Sequence, residues 1–289
     1  MSTDAARHLR VAVTQWRATR DVDANVRIAL DLIDQAAAEG IDLILLPENG
    51  LMLGTNAEMR ERAFSEDSPE IDQIRRAARA AGAVVVVGGL KNRVANGIVN
   101  SALVIDSQGG VIGRYDKAHL FDAQINGQSF EASTVESAGD SMVLLDVKGV
   151  LIGLTICYDV RFPELYRQLA IAGAQVILVP SAFTFVTGSA HWHTLLRSRA
   201  IENAAYVVAS ATIRSVGAGD VDAFETYGHA LVVDPWGEVV VDLGEAQQAF
   251  AVVDLDLSIV DRTREKLPVL RQVRPDLYRQ DPRLIEVTS

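Results

Sequence analysis

A single cysteine, Cys157, closes the apolar run Gly149-Val-Leu-Ile-Gly-Leu-Thr-Ile156 and precedes Tyr158-Asp-Val-Arg-Phe-Pro163. A thiol at such a strand-to-helix turn stands on a rigid support near the positive end of a helix, where thiolate character is favoured. Free cysteines are also among the most buried side chains, so a small core residue is the competing reading. Two further charges end apolar runs in the same way: Glu48 follows Ile41-Asp-Leu-Ile-Leu-Leu-Pro47, and Lys117 follows Val111-Ile-Gly-Arg-Tyr-Asp116. Taken singly, each reads equally as a structural ion pair or a loop charge. Together with a thiol, a carboxylate and an ammonium supply a nucleophile, a proton carrier and a stabiliser of developing oxyanion charge, the parts that acyl transfer requires.

Histidines offer two other chemistries. His119 or His229 beside Cys157 would make a cysteine–histidine hydrolase, with a histidine rather than Glu48 as base. His191 and His193 lie two apart on a helical stretch, so they point roughly 200° apart around its axis and cannot share one ion. With no His-Glu-x-x-His and no second cysteine, no metal site is expected.

The elements that must hold these residues alternate β-branched runs with amphipathic stretches. Strands are expected at residues 9–15, 41–46, 83–90, 99–106, 111–115, 149–156, 174–180, 205–212, 230–234 and 238–243. Helices are expected at 23–38, 71–81, 164–172 and 190–203, the first two closed by Gly40 and Gly82. Ser107-Gln-Gly-Gly110 and Asp234-Pro-Trp-Gly237 read as turns, so Pro235 and Trp236 are turn residues. Strands apolar on both faces need helices over them, and hairpins among them make the sheets mixed, giving an α/β protein. Open α/β sheets place their sites outside the carboxyl ends of strands, where Glu48, Lys117 and Cys157 all fall. Trp192, Leu195, Leu196 and Arg199 share a helical face that reads as core or subunit interface.

The chain has 289 residues, 49% of them hydrophobic, and a net charge of −11. That acidity argues against nucleic acid and anionic membrane surfaces as partners. One cysteine forms no disulfide framework and suits a reducing cytoplasm. Neither a secretory leader nor a membrane-spanning run is expected. No Pro/Ser-rich linker or low-complexity tract divides residues 1–289, which read as a single domain.

Leu46-Pro-Glu-Asn49, Tyr115-Asp-Lys-Ala-His-Leu-Phe121 and Gly153-Leu-Thr-Ile-Cys-Tyr-Asp-Val-Arg-Phe-Pro-Glu-Leu-Tyr166 resemble the three signature segments of the nitrilase superfamily of carbon–nitrogen hydrolases. The resemblance continues through Pro180-Ser-Ala-Phe-Thr-Phe-Val-Thr-Gly-Ser-Ala-His-Trp192, Leu195-Leu-Arg-Ser-Arg-Ala-Ile-Glu202, Tyr227-Gly-His-Ala-Leu-Val-Val-Asp-Pro-Trp-Gly237 and Leu267-Pro-Val-Leu-Arg-Gln-Val-Arg-Pro-Asp-Leu-Tyr278. These later segments look most like the Nit branch of amidases. The resemblance implies a four-layer α-β-β-α sandwich with two mixed sheets and a homodimer, with the segment from about residue 257 at the subunit interface.

It also implies a cofactor-free hydrolysis of a small linear amide to acid and ammonia. Cys157 is then the nucleophile, Glu48 the general base and acid, and Lys117 the oxyanion-stabilising cation. The N–H of Tyr158 becomes a second oxyanion donor. Arg161, His119, Phe183 and Thr187 are expected around the substrate; Arg161 otherwise braces the turn with Asp159, and His119 otherwise packs its loop. The family's second glutamate falls on Ala132 without gaps and on Glu131 with a one-residue slip. Glu131 is the expectation, with Glu136 behind it. Deaminated glutathione is the expected substrate, with omega-amidase activity on α-ketoglutaramate-like monoamides second and a silent scaffold the reading from another class.

Overall fold

The computed structural model describes residues 7–214 and 224–285. In chain order its strands are β1 (His8–Trp16), β2 (Leu43–Leu45), β3 (Val84–Val94), β4 (Gly97–Ile105), β5 (Val111–Asp116), β6 (Asp122–Ile125), β7 (Gln128–Glu131) and β8 (Leu144–Val147). There follow β9 (Val150–Leu154), β10 (Val176–Leu178), β11 (Tyr206–Ala209), β12 (Ala211–Arg214), β13 (Thr226–Tyr227), β14 (Leu231–Val233), β15 (Val239–Asp242) and β16 (Gln248–Asp256). The α-helices are α1 (Val22–Ala38), α2 (Asn56–Glu61), α3 (Pro69–Ala81), α4 (Pro163–Ile171), α5 (Phe185–Asn203), α6 (Leu257–Lys266) and α7 (Pro275–Tyr278).

One sheet runs β13-β12-β1-β2-β3-β4-β5, with β16 antiparallel along β1; the other runs β15-β14-β11-β10-β9-β8. β1, β2 and β3 are mutually parallel, as are β9, β10 and β11, while the outer strands are antiparallel. Both sheets are therefore mixed, as expected.

The apolar runs lack polar alternation because both faces of each strand are covered. In β2, Leu43 and Leu45 pack between the sheets while Ile44 turns outward to α1 and α3. β3 divides the same way, Val86 facing inward and Val85 and Val87 outward. On the far side Leu169 of α4 and Trp192, Leu196 and Ala200 of α5 close over the second sheet. The result is the four-layer sandwich, α-β-β-α. Trp192, Leu196 and Arg199 belong to the chain's own interior.

The run 205–212, expected as one strand, is two. β11 lies in the second sheet and β12 in the first, and the break falls at Ser210. The buried Ser210 hydroxyl donates to the Leu45 carbonyl at 2.8 Å and accepts from the Thr14 N–H at 2.9 Å, fastening the crossing to the first sheet. Helix α5 begins at Phe185, five residues before its expected start. Among the described residues no helix is long and apolar enough to cross a membrane.

Candidate active site

Four neighbouring strands of the first sheet each bring one polar side chain to the same end. Glu48 leaves β2, Lys91 lies in β3, Asn100 in β4, and Lys117 follows β5. Lys91 and Asn100 are partners in the β3–β4 register. The main chain fixes Lys117 on both sides: its N–H donates to the Asn100 carbonyl at 2.8 Å, and its carbonyl accepts from Gly139 at 2.9 Å. All four are buried.

Glu48 is the hub. Its Oε1 accepts from Lys117 Nζ at 2.8 Å and Asn100 Nδ2 at 3.0 Å, and its Oε2 accepts from the Ala182 N–H at 2.8 Å. Two glycines sit at the irregularity in the β3–β4 register between Val87 and Leu90, Gly89 leaving room for Glu48 and Gly88 for the Leu46 carbonyl and Pro180. A Cβ on Gly89, whose φ is +55°, would stand 2.6 Å from Glu48 Cγ, and one on Gly88 would stand 2.2 Å from Pro180 Cβ.

Cys157 arrives from the second sheet. After β9 the chain enters a 3₁₀ turn, Cys157–Arg161, with Cys157 itself at φ +47° and its N–H on the Pro180 carbonyl at 2.9 Å. A non-glycine residue in this region is strained, and such strain persists where surrounding contacts over-determine it. Asp159, fully buried, supplies those contacts. It accepts from the Ile156 N–H at 2.9 Å, Tyr115 hydroxyl at 2.7 Å and His119 N–H at 3.1 Å.

Burial and the adjacent Glu48 carboxylate push the Cys157 thiol up from its ordinary value, outweighing Lys117. The expectation of thiolate character is thereby overturned: the thiol is buried against an anion, and the helix behind it is a short 3₁₀ turn. Burial would raise Glu48, yet the charge and hydrogen bond of Lys117, the charge of Lys91 and the Cys157 hydrogen bond bring it below the ordinary carboxylate value. For Lys117 burial acts downward, but Glu48, Cys157 and Glu136 raise it overall. The resting arrangement is thus a neutral thiol bonded to a carboxylate that is itself held by an ammonium. Such a set delivers a nucleophile once the thiol proton moves to Glu48.

Glu48, Lys91, Lys117 and Cys157 line one cavity. The carbon-nitrogen hydrolase family model matches residues 10–265. The chain belongs to the carbon–nitrogen hydrolase family. It is 40% identical over 275 residues to the nitrilase and fragile histidine triad fusion protein of Caenorhabditis elegans, covering 93% of this chain and 61% of that longer protein. The crystal structure of the same fusion protein superposes with a TM-score of 0.87 at 37% identity, over 95% of this chain and 67% of that one. A deaminated glutathione amidase of Dictyostelium discoideum is 34% identical, covering 93% of this chain and 95% of its own. An omega-amidase of Homo sapiens is 33% identical over 93% and 96% respectively. The chain is accordingly a hydrolase of the Nit branch, a cysteine-dependent amidase acting on small linear amides.

Within this carbon–nitrogen hydrolase, Tyr158, Arg161, Phe183 and Thr187 line the cavity with Cys157, Glu48 and Lys117. Arg161 does not pair with Asp159. Its guanidinium lies 5.1 Å from the Phe183 ring and 5.9 Å from the Tyr158 ring, and it meets His191 Nδ1 at 3.4 Å. His119 is not among the lining residues, because its ring stacks on Phe162 at 3.6 Å and its Nδ1 is held by Asp159 at 2.8 Å. It packs its loop. Glu131 reaches the cavity rim but is exposed and takes the Ser129 hydroxyl at 2.9 Å. Glu136 is buried in the wall, bonded to Lys91.

His229 and His193 lie elsewhere, both against Asp242 at 3.1 and 2.8 Å, so neither serves as a base for Cys157. Their three potential ligand atoms lie within 4.8 Å of one another. Spacing along one helix says nothing about such a cluster, which is assembled from α5, the β13–β14 connection and β15. Lys91 escaped sequence reasoning altogether. The signal was present, since it too is a charge following an apolar run, Ala83–Leu90, but the strand was expected to end at Leu90, whereas β3 continues through Lys91 to Val94.

Proposed function

We propose that this enzyme hydrolyses a small linear amide that also bears a carboxylate, deaminated glutathione in the first place, through a thioester on Cys157, releasing cysteinylglycine from deaminated glutathione and ammonia from a primary monoamide. What carries the reading is the buried Glu48 carboxylate, in contact at once with Lys117, Ala182 N–H and the Cys157 thiol. Glu48 takes the thiol proton as sulfur attacks the carbonyl carbon, and Lys117 with the Tyr158 N–H receives the oxyanion. Collapse expels the amine with the proton returned by Glu48. Water, deprotonated by Glu48, then attacks the thioester and releases the acid, so one carboxylate serves both halves.

Arg161 supplies the specificity. Among the described residues no carboxylate pairs with it, and its position over two aromatic rings in the cavity wall suits the distal carboxylate of a dicarboxylic monoamide. Omega-amidase action on α-ketoglutaramate-like substrates draws on the same feature. Of the two glutamates after Lys117, Glu136 fits the second-glutamate role better, being buried beside the cluster where Glu131 is exposed. A free thiol as nucleophile suits a reducing cytoplasm. The enzyme works as a homodimer.

The test is a screen for released cysteinylglycine from deaminated glutathione and for released ammonia from α-ketoglutaramate and simple monoamides, run with Cys157→Ala beside the wild type. Release abolished in the variant with the fold intact supports the reading. Undiminished release, or no release by the wild type from any linear amide, refutes it. Arg161→Met should raise KM for carboxylate-bearing amides while sparing neutral ones.

A further inference from the structure

The chain has four lysines, Lys91, Lys117, Lys148 and Lys266, among many arginines. Two of the four line one cavity, and both are almost wholly buried against carboxylates, Lys117 on Glu48 and Lys91 on Glu136. Among the described residues these are the only lysine–carboxylate pairs with both partners so buried. Taking two charges out of water costs several kcal/mol per ion, and well-packed neutral side chains usually serve stability as well. A second buried pair in the wall of the reaction cavity therefore calls for a role other than holding the fold together.

Its placement indicates the role. Lys91 lies in β3, between the strand that delivers Glu48 and the strand that delivers Asn100, and it is the register partner of Asn100. Asn100 in turn donates to Glu48 Oε1. Glu136 follows the β6–β7 hairpin and gives Oε2 to Lys91, while its Oε1 is buried without a hydrogen-bond partner. An unsatisfied carboxylate oxygen in a protein interior is costly, so the Lys91 contact is what holds Glu136 in the cavity wall.

We propose that Lys91 is a positioning residue for the amidase reaction, anchoring the Glu136 carboxylate in the cavity wall and placing a second positive charge behind Glu48. The two pairs line the same cavity as the thiol. This rests on the amidase reading for its kinetic readout. The charged and titratable groups facing Glu48 are Lys117 after β5, Lys91 in β3 and Cys157 in the 3₁₀ turn, with Asn100 and the Ala182 N–H as neutral donors. Glu136 faces Lys91 and acts on Lys117. Of the two cations, Lys117 is the larger influence on Glu48 and Lys91 the smaller, and both act to lower it.

The sign follows. Without the Lys91 charge Glu48 is protonated at a higher pH, and the acidic limb of any reaction needing its carboxylate moves upward. Cys157 is the only cysteine, so its alkylation by iodoacetamide reads this limb without any substrate. Lys91→Met, Lys91→Arg and Lys91→Met/Glu136→Gln are compared with the wild type for alkylation rate against pH, and for kcat and KM on an amide the wild type turns over. Lys91→Met should move the acidic limb up by about half a pH unit or more. It should lower kcat roughly tenfold with KM changed less than about threefold, and Lys91→Arg should restore most of both.

Lys91→Met leaves a lone buried carboxylate and is the variant at risk of misfolding. The double variant replaces both charges with neutral side chains and keeps the question open to refutation. A folded double variant with the wild-type limb and kcat overturns the proposal, as does an effect on KM alone. A wild type that alkylates normally but hydrolyses no amide refutes the amidase reading, and the alkylation arm still decides the role of Lys91.

Discussion

Glu48 receives three donors on two oxygens, and these replace the water that burial removes. That is why a carboxylate in the interior stays below its ordinary range while the thiol beside it is driven up. A group with a depressed folded value contributes stability above its unfolded pKa and loses it as pH falls through the folded one. Activity and stability should therefore both persist into the acid range and decline together below the usual carboxylate pKa, which a pH–rate profile and a parallel urea series would check. Glu48→Gln keeps the shape but removes the base, so alkylation of Cys157 at neutral pH should slow about 100-fold or more, with circular dichroism unchanged. Gly89→Ala tests the space instead. Its Cβ would overlap the Glu48 side chain and its φ of +55° disfavours any L side chain, so kcat should fall about 10-fold or more and stability by about 1–3 kcal/mol.

At the level of elements, Asp159 ties the Cys157 turn to the segment that carries Lys117. It accepts from Tyr115 at the end of β5, from His119 just past Lys117, and from Ile156 just before the nucleophile. Asp159→Asn turns an acceptor toward its donors as an N–H, and should cost about 2–4 kcal/mol in urea unfolding, with a loss of kcat that exceeds any change in KM. Glu48, Lys117 and Cys157 were legible in the sequence because each ends a long apolar run, and such runs were long here because both strand faces are covered. The core strands and α1 were legible for the same reason, Val22, Val26, Ala29 and Ile33 repeating at helical spacing. β6–β7, β13 and β16 were not, since short or half-exposed strands carry little periodicity. The break at Ser210 was hidden because both strands beside it are apolar, and sheet membership is a tertiary property. Burial and the Lys91 partner, which distinguish Glu136 from Glu131, could not be read from the sequence, because both are set by a strand 45 residues earlier.

For the whole molecule, a surface remains that the chain does not cover. Ile201 on α5 and Trp236 in the β14–β15 turn are 48% and 60% exposed, and Arg197 of α5 donates to the Gly237 carbonyl, bringing that turn against the helix. Leu267, Leu277 and Tyr278 are likewise exposed, whereas Leu257 and Val260 of α6 are buried in the chain's own core. On this exposure, the interface expected from about residue 257 would fall on the segment from Leu267 onward together with the outer face of α5. The exposed Ile201 and Trp236 at the contact of α5 with the β14–β15 turn offer an association surface, and two identical copies can bury it in a closed, two-fold arrangement. The other face of α5 reaches the nucleophile: Arg199 donates to the Val160 carbonyl at 2.8 Å, inside the turn that holds Cys157. A dimer contact on this face would therefore share one helix with the turn that holds Cys157. Ile201→Asp with Trp236→Asp should convert the protein to a single species at the mass of one chain by light scattering at micromolar concentration. Because α5 then loses its outer support, kcat should fall about 10-fold while KM stays within about twofold. A double variant that remains dimeric would place the interface elsewhere, and a monomer of undiminished kcat would show that the helix does not transmit the contact to Cys157.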